Sequence, residues 1–134
     1  MAVYLVDNSV WQRAASTPSV TARLRRVMVD DLIITCPPQV LEYCHSARDP
    51  EEHTLLREHM AAFFPAPVHP STEDALALQH ALWADGKVRA AGALDCLIAA
   101  YAVVNDAILL HADRDYIHLA HATEGRVREE YVAP

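Results

Sequence analysis

The sequence predicts an α/β fold built on a mainly parallel central sheet. Short apolar segments alternate with segments of helical periodicity, a pattern typical of parallel sheets whose faces are covered by helices. The chain has 134 residues, which suits one domain with a single core. Its hydrophobic fraction of 52% and charged fraction of 22% are those of an ordinary globular protein. We therefore expect residues 1–134 to form a single domain.

Five segments are predicted to be strands, and each is a short apolar run bounded by polar residues or proline. They cover residues 3–7, residues 32–36, a short stretch around Val68, residues 107–113 and residues 127–132. In parallel sheets, ligands bind beyond the carboxyl ends of the strands. Asp7 and Asp113 end two of these runs, so we expect both carboxylates at the ligand-binding edge of the sheet.

Helices are predicted between these strands, from apolar periodicity and from residues that favour helix ends. The predicted segments are residues 9–15, a helix after Pro18, and residues 38–48, 50–63, 73–84, 92–104 and 115–121. Asn8 or Ser9 is expected to cap the first helix. Ser71, with Asp74 three residues later, forms a plausible capping box for the fifth. The residues of the second helix expected to face inward are Val20, Leu24, Val27 and Met28.

The net charge, the cysteine spacing and the first residues of the chain argue against several classes of protein. The net charge of −7 argues against a protein that coats nucleic acid nonspecifically, although it does not exclude an enzyme that acts on nucleic acid. No apolar run reaches the ~18 residues that a membrane span needs, and the first residues lack the features of a signal peptide. Cys36, Cys44 and Cys96 have no CxxC spacing and suit reduced core thiols. We therefore expect a cytoplasmic protein that binds no membrane.

The segment GALDCLIAAYAVV, residues 92–104, is a predicted apolar helix with one ionisable residue, Asp95. An unpaired carboxylate is costly to bury, so Asp95 needs a partner. Asp7, Glu42 and Asp113 also stand where an apolar element meets its polar end, and no comparable set of lysines or arginines is placed to neutralise them. Carboxylates that converge in one cleft repel each other unless a cation lies between them. Mg²⁺ or Mn²⁺ suits such a site, because both prefer oxygen ligands.

Each acid also has an ordinary structural explanation. Asp7 can cap the following helix, and Glu42 can be a solvated helix residue. Asp113 and Asp115 can be turn formers. Asp95 lies in a first helical turn, where the helix dipole favours an acid. These explanations are weaker when taken together, because all of the acids lie where an α/β fold binds its ligand.

Four blocks of the sequence together resemble the PIN-domain family, and more narrowly the VapC-type toxins of bacterial toxin–antitoxin pairs. The blocks are LVDNSVW at residues 5–11, PPQVLEYCHSAR at 37–48, GALDCLIAAYA at 92–102 and LLHADRDY at 109–116. The resemblance implies a PIN-like three-layer sandwich, with the sheet between helices. It also implies that the catalytic, metal-binding acids are Asp7, Glu42, Asp95 and Asp113. Ser9 matches the hydroxyl that follows the first acid, and the helix start there is a candidate phosphate site.

The activity that the resemblance implies is hydrolysis of RNA phosphodiester bonds by an activated water, with Mg²⁺ or Mn²⁺ as cofactor. Transfer RNA or a ribosomal RNA loop is the substrate that the family suggests. The implied partners are a cognate VapB-type antitoxin that blocks the cleft and a second copy of the chain in a homodimer.

The last block departs from the family pattern, because His111 stands where threonine or serine usually precedes the acid by two residues. The hydrogen bond of that hydroxyl must be replaced or lost, and His111 is a candidate for hydrogen bonding at the site. Asp115 is expected to cap the helix that follows, with support of the site through water or His111 as the alternative. Tyr116 is expected to be a core or interface aromatic, with base stacking as the alternative.

Other function classes fit less well. A haloacid-dehalogenase-like phosphatase needs a second aspartate two residues after the first, where this chain has Ser9. A receiver domain needs an acid pair just after a strand and a lysine at a late strand end, whereas Asp30 and Asp31 precede a strand and Lys87 lies in a connection. A degenerate PIN-like module that only binds RNA or protein stays open as the alternative, and a metal titration separates it from an enzyme.

Overall fold

In the computed structural model, which describes residues 1–133, a five-stranded parallel sheet lies between two layers of helices. The strands are β1 (Val3–Val6), β2 (Leu32–Thr35), β3 (Phe64–Pro65), β4 (Ile108–His111) and β5 (Glu129–Tyr131). Their order across the sheet is β3-β2-β1-β4-β5, so the first strand is central. The α/β fold with a parallel sheet predicted from the sequence is confirmed.

The helices follow the strands in the alternating order expected of a parallel sheet. They are α1 (Asn8–Arg13), α2 (Pro18–Asp30), α3 (Pro37–Cys44), α4 (Pro50–Ala61), α5 (Thr72–Ala84), α6 (Ala93–Val104) and α7 (Asp115–Ala122). The capping box predicted at the start of α5 is present, because the Ser71 and Asp74 side chains each accept a hydrogen bond from the other residue's backbone N–H. Within residues 1–133, no helix is long and apolar enough to cross a membrane.

The sheet has a separate hydrophobic core on each face, because successive side chains of a strand point to opposite sides. Leu5, Ile34 and Leu109 pack with α5, α6 and α7 on one face. Tyr4 and Leu110 belong to the core on the other face, which α1 and α2 cover. The two cores make the architecture a three-layer sandwich.

The strand predicted around Val68 is wrong, because the short edge strand β3 lies earlier, at Phe64–Pro65. The backbone groups of Val68 are satisfied by a side chain instead of a neighbouring strand. Its N–H donates to Asn105 Oδ1 at 3.0 Å, and its carbonyl accepts from Asn105 Nδ2 at 2.8 Å. The asparagine at the end of α6 therefore replaces a strand pairing that the apolar residue suggested.

Two details of the predicted helices also differ from the structure. Asp7 caps α1, in place of the expected Asn8 or Ser9. Val20, Leu24 and Val27 are buried in α2 as predicted, whereas Met28 is 49% exposed because it lies at the margin of the apolar stripe.

The third helix is shorter than predicted and ends at Cys44 instead of residue 48. Ser46 explains the early end, because its N–H and its hydroxyl both donate to the Tyr43 carbonyl, at 3.3 and 2.7 Å. Such local hydrogen bonds compete with the continuing helical ladder.

Candidate active site

Asp7 is the most buried acid of the candidate site, with 2% of its surface exposed. It follows β1 directly at the carboxyl edge of the sheet, where its backbone N–H donates to the Leu110 carbonyl of β4 at 2.9 Å. Its side chain also caps α1, because Oδ2 accepts from the Ser9 N–H at 3.0 Å. The other oxygen, Oδ1, accepts from the Tyr116 hydroxyl at 2.9 Å. The carboxylate is therefore held at both oxygens.

Ser9 connects the start of α1 to the end of β4. Its hydroxyl oxygen accepts a hydrogen bond from the Ala112 N–H at 2.9 Å, and the residue is buried. Its own N–H is donated to Asp7, which leaves that amide no free hydrogen for the phosphate that the resemblance suggested. Ser9 therefore fixes the relative position of the two strands that carry Asp7 and Asp113.

Asp95 lies in the first turn of α6 and faces Asp7 across the Tyr116 hydroxyl. Its Oδ2 accepts from the Gly92 N–H at 3.2 Å, and the Tyr116 hydroxyl lies 3.4 Å from its Oδ1. The pKa of the Asp95 carboxyl is raised to about 6, mainly by burial; the Gly92 N–H acts in the lowering direction, and the charges of Asp7, Asp115 and Asp113 act in the raising direction. The carboxylate that the sequence places in an apolar helix thus lies among other acids.

Glu42 lies in the second turn of α3, the helix that follows β2. The strand β2 is the neighbour of β1 in the sheet. Burial raises the pKa of its carboxyl, and the charges of Asp7, Asp95 and Asp113 act in the same direction. A glutamate that pointed away into solvent would not feel these three charges. The helix α3 contacts α1 and α6, so Glu42 lies on an element next to those that carry Asp7 and Asp95.

The expected N-cap role of Asp115 is wrong. Arg114 occupies the cap position of α7 in the left-handed conformation, with a φ of 74°, and Asp115 is the first residue of the helix. The hydrogen bond to the helix start comes from the other acid, because Asp113 Oδ1 accepts from the Asp115 N–H at 3.1 Å. Asp113 therefore has a structural role in starting α7 in addition to its predicted chemical one.

Asp115 belongs to the acidic cluster, although the sequence assigned it a different role. Burial and then the charge of Asp113 raise the pKa of its carboxyl, while a hydrogen bond with the Asp95 side chain lowers it. The left-handed turn at Arg114 places the two flanking carboxylates in the same neighbourhood. The acidic site consequently has five members, Asp7, Glu42, Asp95, Asp113 and Asp115.

His111 is completely buried beneath the last pair of acids. Its Nε2 lies 3.1 Å from Glu129 Oε1, and its Nδ1 lies 3.9 Å from Asp113 Oδ1, too far for a hydrogen bond. The imidazole is thus anchored on β5 and lies next to Asp113 without bonding to it. The hydrogen bond to the site that the departure from the family pattern suggested is therefore not formed by His111, whose Nδ1 has no partner among the described residues.

Tyr116 was missed as a partner of the acids because the sequence suggested packing, or base stacking as the alternative, and neither role involves its hydroxyl. It is completely buried, and its hydroxyl is shared between Asp7 and Asp95. Burial, followed by the charges of Asp7 and Asp95, holds the pKa of the phenol well above its usual value, so it is a hydrogen-bond donor. A buried tyrosine generally needs a polar partner, and this rule was the available signal.

The oxygen-rich donor set fits a divalent cation in charge and in ligand type. Within residues 1–133, no lysine or arginine forms an ion pair with any of the five carboxylates. The described side chains contain no ready-made group of three acidic, histidine or cysteine ligands arranged to hold a metal. A cation here would therefore need small movements of these carboxylates or bridging by water ligands, which Mg²⁺ commonly retains.

A family model described as PIN domain matches residues 4–122, and the chain belongs to the PIN-domain family. Among curated proteins, it is 33% identical over 133 residues to Ribonuclease VapC21 of Mycobacterium tuberculosis, which covers 98% of this chain and 95% of that protein. It is 30% identical over 118 residues to Ribonuclease VapC6 of the same species, which covers 86% of this chain and 93% of that protein.

Solved structures of low sequence identity share the fold. VapBC2 from Rickettsia felis, bound to a DNA fragment from its promoter, contains a chain with a TM-score of 0.71 at 14% identity, covering 96% of this chain and 98% of that one. FitAcB from Neisseria gonorrhoeae gives a TM-score of 0.67 at 16% identity, with 95% of each chain covered. These structures confirm the predicted PIN-like sandwich.

We expect the metal-free protein to lose stability as the pH rises from about 4 to about 7. The Asp95 pKa rises from 3.8 to about 6 on folding, so between these values the folded state binds more protons than the unfolded chain. The free energy of unfolding therefore falls with rising pH, by roughly 1–2 kcal/mol once solvent screening of the partly exposed group is considered. Urea unfolding of chelator-treated protein across this pH range measures the effect.

In this experiment, Asp95→Asn should flatten the decline, whereas the exposed control Asp30→Asn should retain it. An unchanged decline in Asp95→Asn would show that Asp95 is not the titrating group.

Substitution of Asp113 by Asn and by Ala should separate its structural role at the start of α7 from its predicted role as a metal ligand. Asp113→Asn keeps a side-chain oxygen that can accept from the Asp115 N–H, so its melting temperature should stay close to that of the wild type. Asp113→Ala loses this bond and should be less stable than the Asn variant by about 0.5–2 kcal/mol. Thermal unfolding of the metal-free proteins measures the difference. Equal stability of the two variants would contradict the capping role.

Proposed function

We propose that this protein is a metal-dependent endoribonuclease of the VapC type, acting as the toxin of a toxin–antitoxin pair. The observation that carries the proposal is the set of acids at the carboxyl edge of β1 and β4, in a chain that belongs to the PIN-domain family. Curated relatives with 30–33% identity over most of the chain are named VapC ribonucleases, which supports the same reaction class.

Asp7, Glu42, Asp95 and Asp113 would hold Mg²⁺ or Mn²⁺ in this proposal. A bound ion would supply positive charge for the scissile phosphate and would lower the pKa of a bound water. Its presence also explains how an anionic backbone approaches a site of five carboxylates in a protein of net charge −7. Asp115, Ser9 and His111 are proposed to support these acids.

In the proposed reaction, the protein's own residues orient the carboxylates. Because Asp7 and Tyr116 are buried, they also keep water away from the base of the site. Asp7 is fixed at both oxygens by Ser9 and Tyr116, so it presents its remaining lone pairs in a constant direction. Asp95 is held at one oxygen by Gly92. Because these carboxylates are already held in place, less free energy is needed to reorient them during the reaction. No serine, cysteine or histidine nucleophile is required.

RNA is the proposed substrate class, and transfer RNA or a ribosomal RNA loop is the family-level proposal for its identity. The proposed compartment is the cytoplasm, where such substrates are found. One nuclease domain formed by residues 1–134 is part of the same proposal, and the family match over residues 4–122 supports it.

The proposed partners are a VapB-type antitoxin and a second copy of the chain. The neighbouring structures of VapBC2 and of VapBC-1 from nontypeable Haemophilus influenzae support the first, since both are VapBC assemblies. Exposed apolar residues on α5, Leu76 at 46% and Trp83 at 44%, support a second copy that would cover this face.

The alternative proposal is a PIN-like module that binds RNA or protein without cleaving it. The five acids argue against it, because a purely binding module gains nothing from partly buried carboxylates that repel one another. The two proposals differ in their need for metal.

Purified protein should cleave RNA in the presence of Mg²⁺ or Mn²⁺ and lose this activity in excess chelator. Asp7→Asn removes one ligand charge with little change in shape and should lower the cleavage rate roughly 100-fold or more, beyond the 10–100-fold effect typical of residues that only support a metal ligand. Asp106→Asn is the matched control, because its side chain is 95% exposed and far from the site in the fold. Sequencing of fragment 5′ ends identifies the RNA. Metal-independent cleavage would contradict the proposal.

Expression of the chain should arrest growth, and co-expression of the gene encoded next to it should relieve the arrest. The neighbouring protein is expected to carry an arginine-bearing or otherwise basic segment, because it must occupy an acidic cleft. Colony counts and culture density measure both effects. If the Asp7→Ala/Glu42→Ala double variant remained toxic at equal expression, the binding module would replace the enzyme as the better proposal.

A further inference from the structure

We infer that Tyr116 is a positioning residue whose hydroxyl fixes the Asp7 and Asp95 carboxylates relative to each other and thereby sets the metal affinity of the site. This inference rests on the proposed function, since it concerns the same acids. It adds a residue that touches neither the phosphate nor the metal and acts only through the two carboxylates.

The first support is the position of the hydroxyl between Asp7, which follows β1, and Asp95 of α6. It donates to Asp7 Oδ1 at 2.9 Å and lies 3.4 Å from Asp95 Oδ1. A phenol has a single proton, so it makes its stronger bond to Asp7 and a longer, weaker contact to Asp95. A neutral donor between two like charges allows both carboxylates to approach without a cation between them.

The second support is that the hydroxyl completes the fixation of both carboxylates. The outer oxygen of Asp7 is held by the Ser9 N–H, and the outer oxygen of Asp95 is held by the Gly92 N–H. Tyr116 is the contact that faces the remaining oxygen of each. Without the hydroxyl, each carboxylate would keep one donor and could rotate about it.

The third support is that the ring of Tyr116 is itself immobile. The residue is completely buried and lies in the core under α5 and α6, and its ring meets the His111 imidazole edge to face at a centroid distance of 5.2 Å. His111 is in turn bonded to Glu129 on β5. The hydroxyl therefore cannot follow a carboxylate that moves, and it acts as a fixed reference point.

A purely structural role would place the same hydroxyl against Asp7 only to satisfy a buried polar group. The two explanations differ in what happens when a metal is added. A structural hydroxyl affects stability alone, whereas a positioning hydroxyl affects the concentration of metal that half-saturates the protein.

Tyr116→Phe keeps the ring and removes only the hydroxyl, and Tyr4→Phe is the matched control. Tyr4 is also buried and also donates its hydroxyl to a carboxylate, Glu130 Oε1 at 3.1 Å, outside the acidic cluster. We expect Tyr116→Phe to raise the Mn²⁺ concentration at half-saturation 10- to 100-fold, as loss of a partner of a metal ligand typically does. Electron paramagnetic resonance of free Mn²⁺ during titration measures this without any substrate.

The same variant should require correspondingly more Mg²⁺ for RNA cleavage, while the KM for RNA at saturating metal stays within twofold of the wild type. Tyr4→Phe should match the wild type in both measurements. Equal half-saturation by Mn²⁺ in Tyr116→Phe and wild type would overturn the inference. If the wild type itself bound no Mn²⁺, the proposed function would fail first, so the two failures are distinguishable.

A second measurement covers poor folding of Tyr116→Phe. Site-specific 3-fluorotyrosine at position 116 retains the hydroxyl, and its ¹⁹F resonance should shift when Mg²⁺ is added, whereas the same label at position 4 should not respond. An unchanged resonance at position 116 under conditions where Mg²⁺ stabilises the protein would overturn the inference.

Discussion

The parallel pairing of β1 with β4 is the constraint on which the candidate site depends. Val6 pairs with Leu110, the Asp7 N–H continues the ladder to the Leu110 carbonyl, and the Ser9 hydroxyl accepts from Ala112 just beyond it. These contacts bring the ends of two strands that are distant in sequence to the same point. The loop after β4 then starts α7, which delivers Tyr116 to Asp7. A shift of one residue in this register would turn the acids to the wrong side of the sheet.

Repulsion between the clustered acids at the ends of β1 and β4 opposes folding. Hydrogen-bond donors, rather than cationic side chains, offset this repulsion. Backbone N–H groups at the starts of α1, α6 and α7 each bond to one carboxylate, of Asp7, Asp95 and Asp113 respectively. Helix starts carry partial positive charge, so three helices together favour an acidic cluster that would otherwise be costly. The site is therefore a product of helix placement as much as of the acids themselves.

Sequence reasoning succeeded where one residue's surroundings decide the outcome and failed where a distant partner does. Asp7 directly follows β1, as its apolar run predicts, whereas β4 ends at His111, two residues before Asp113 and earlier than the predicted strand 107–113. Glu42 and Asp95 were predicted as site residues together with the family blocks. The error at Val68 came from a side chain 37 residues away, Asn105, which no local pattern reveals. The cap role expected of Asp115 is a separate, local error, because the left-handed Arg114 takes the cap position of α7 one residue earlier.

The two edge strands of the sheet limit the ways in which another protein can bind this one. The strand β3 has only two residues, one of them Pro65, which has no N–H to donate. At the other edge, β5 has three residues, and Glu130 there is paired with Arg23 of α2. Short edges that carry proline or charge resist the addition of a foreign strand. Strand addition at either edge is therefore disfavoured, and binding through side chains on helices and loops, with specificity set by their surface shape, is the expected mode of recognition.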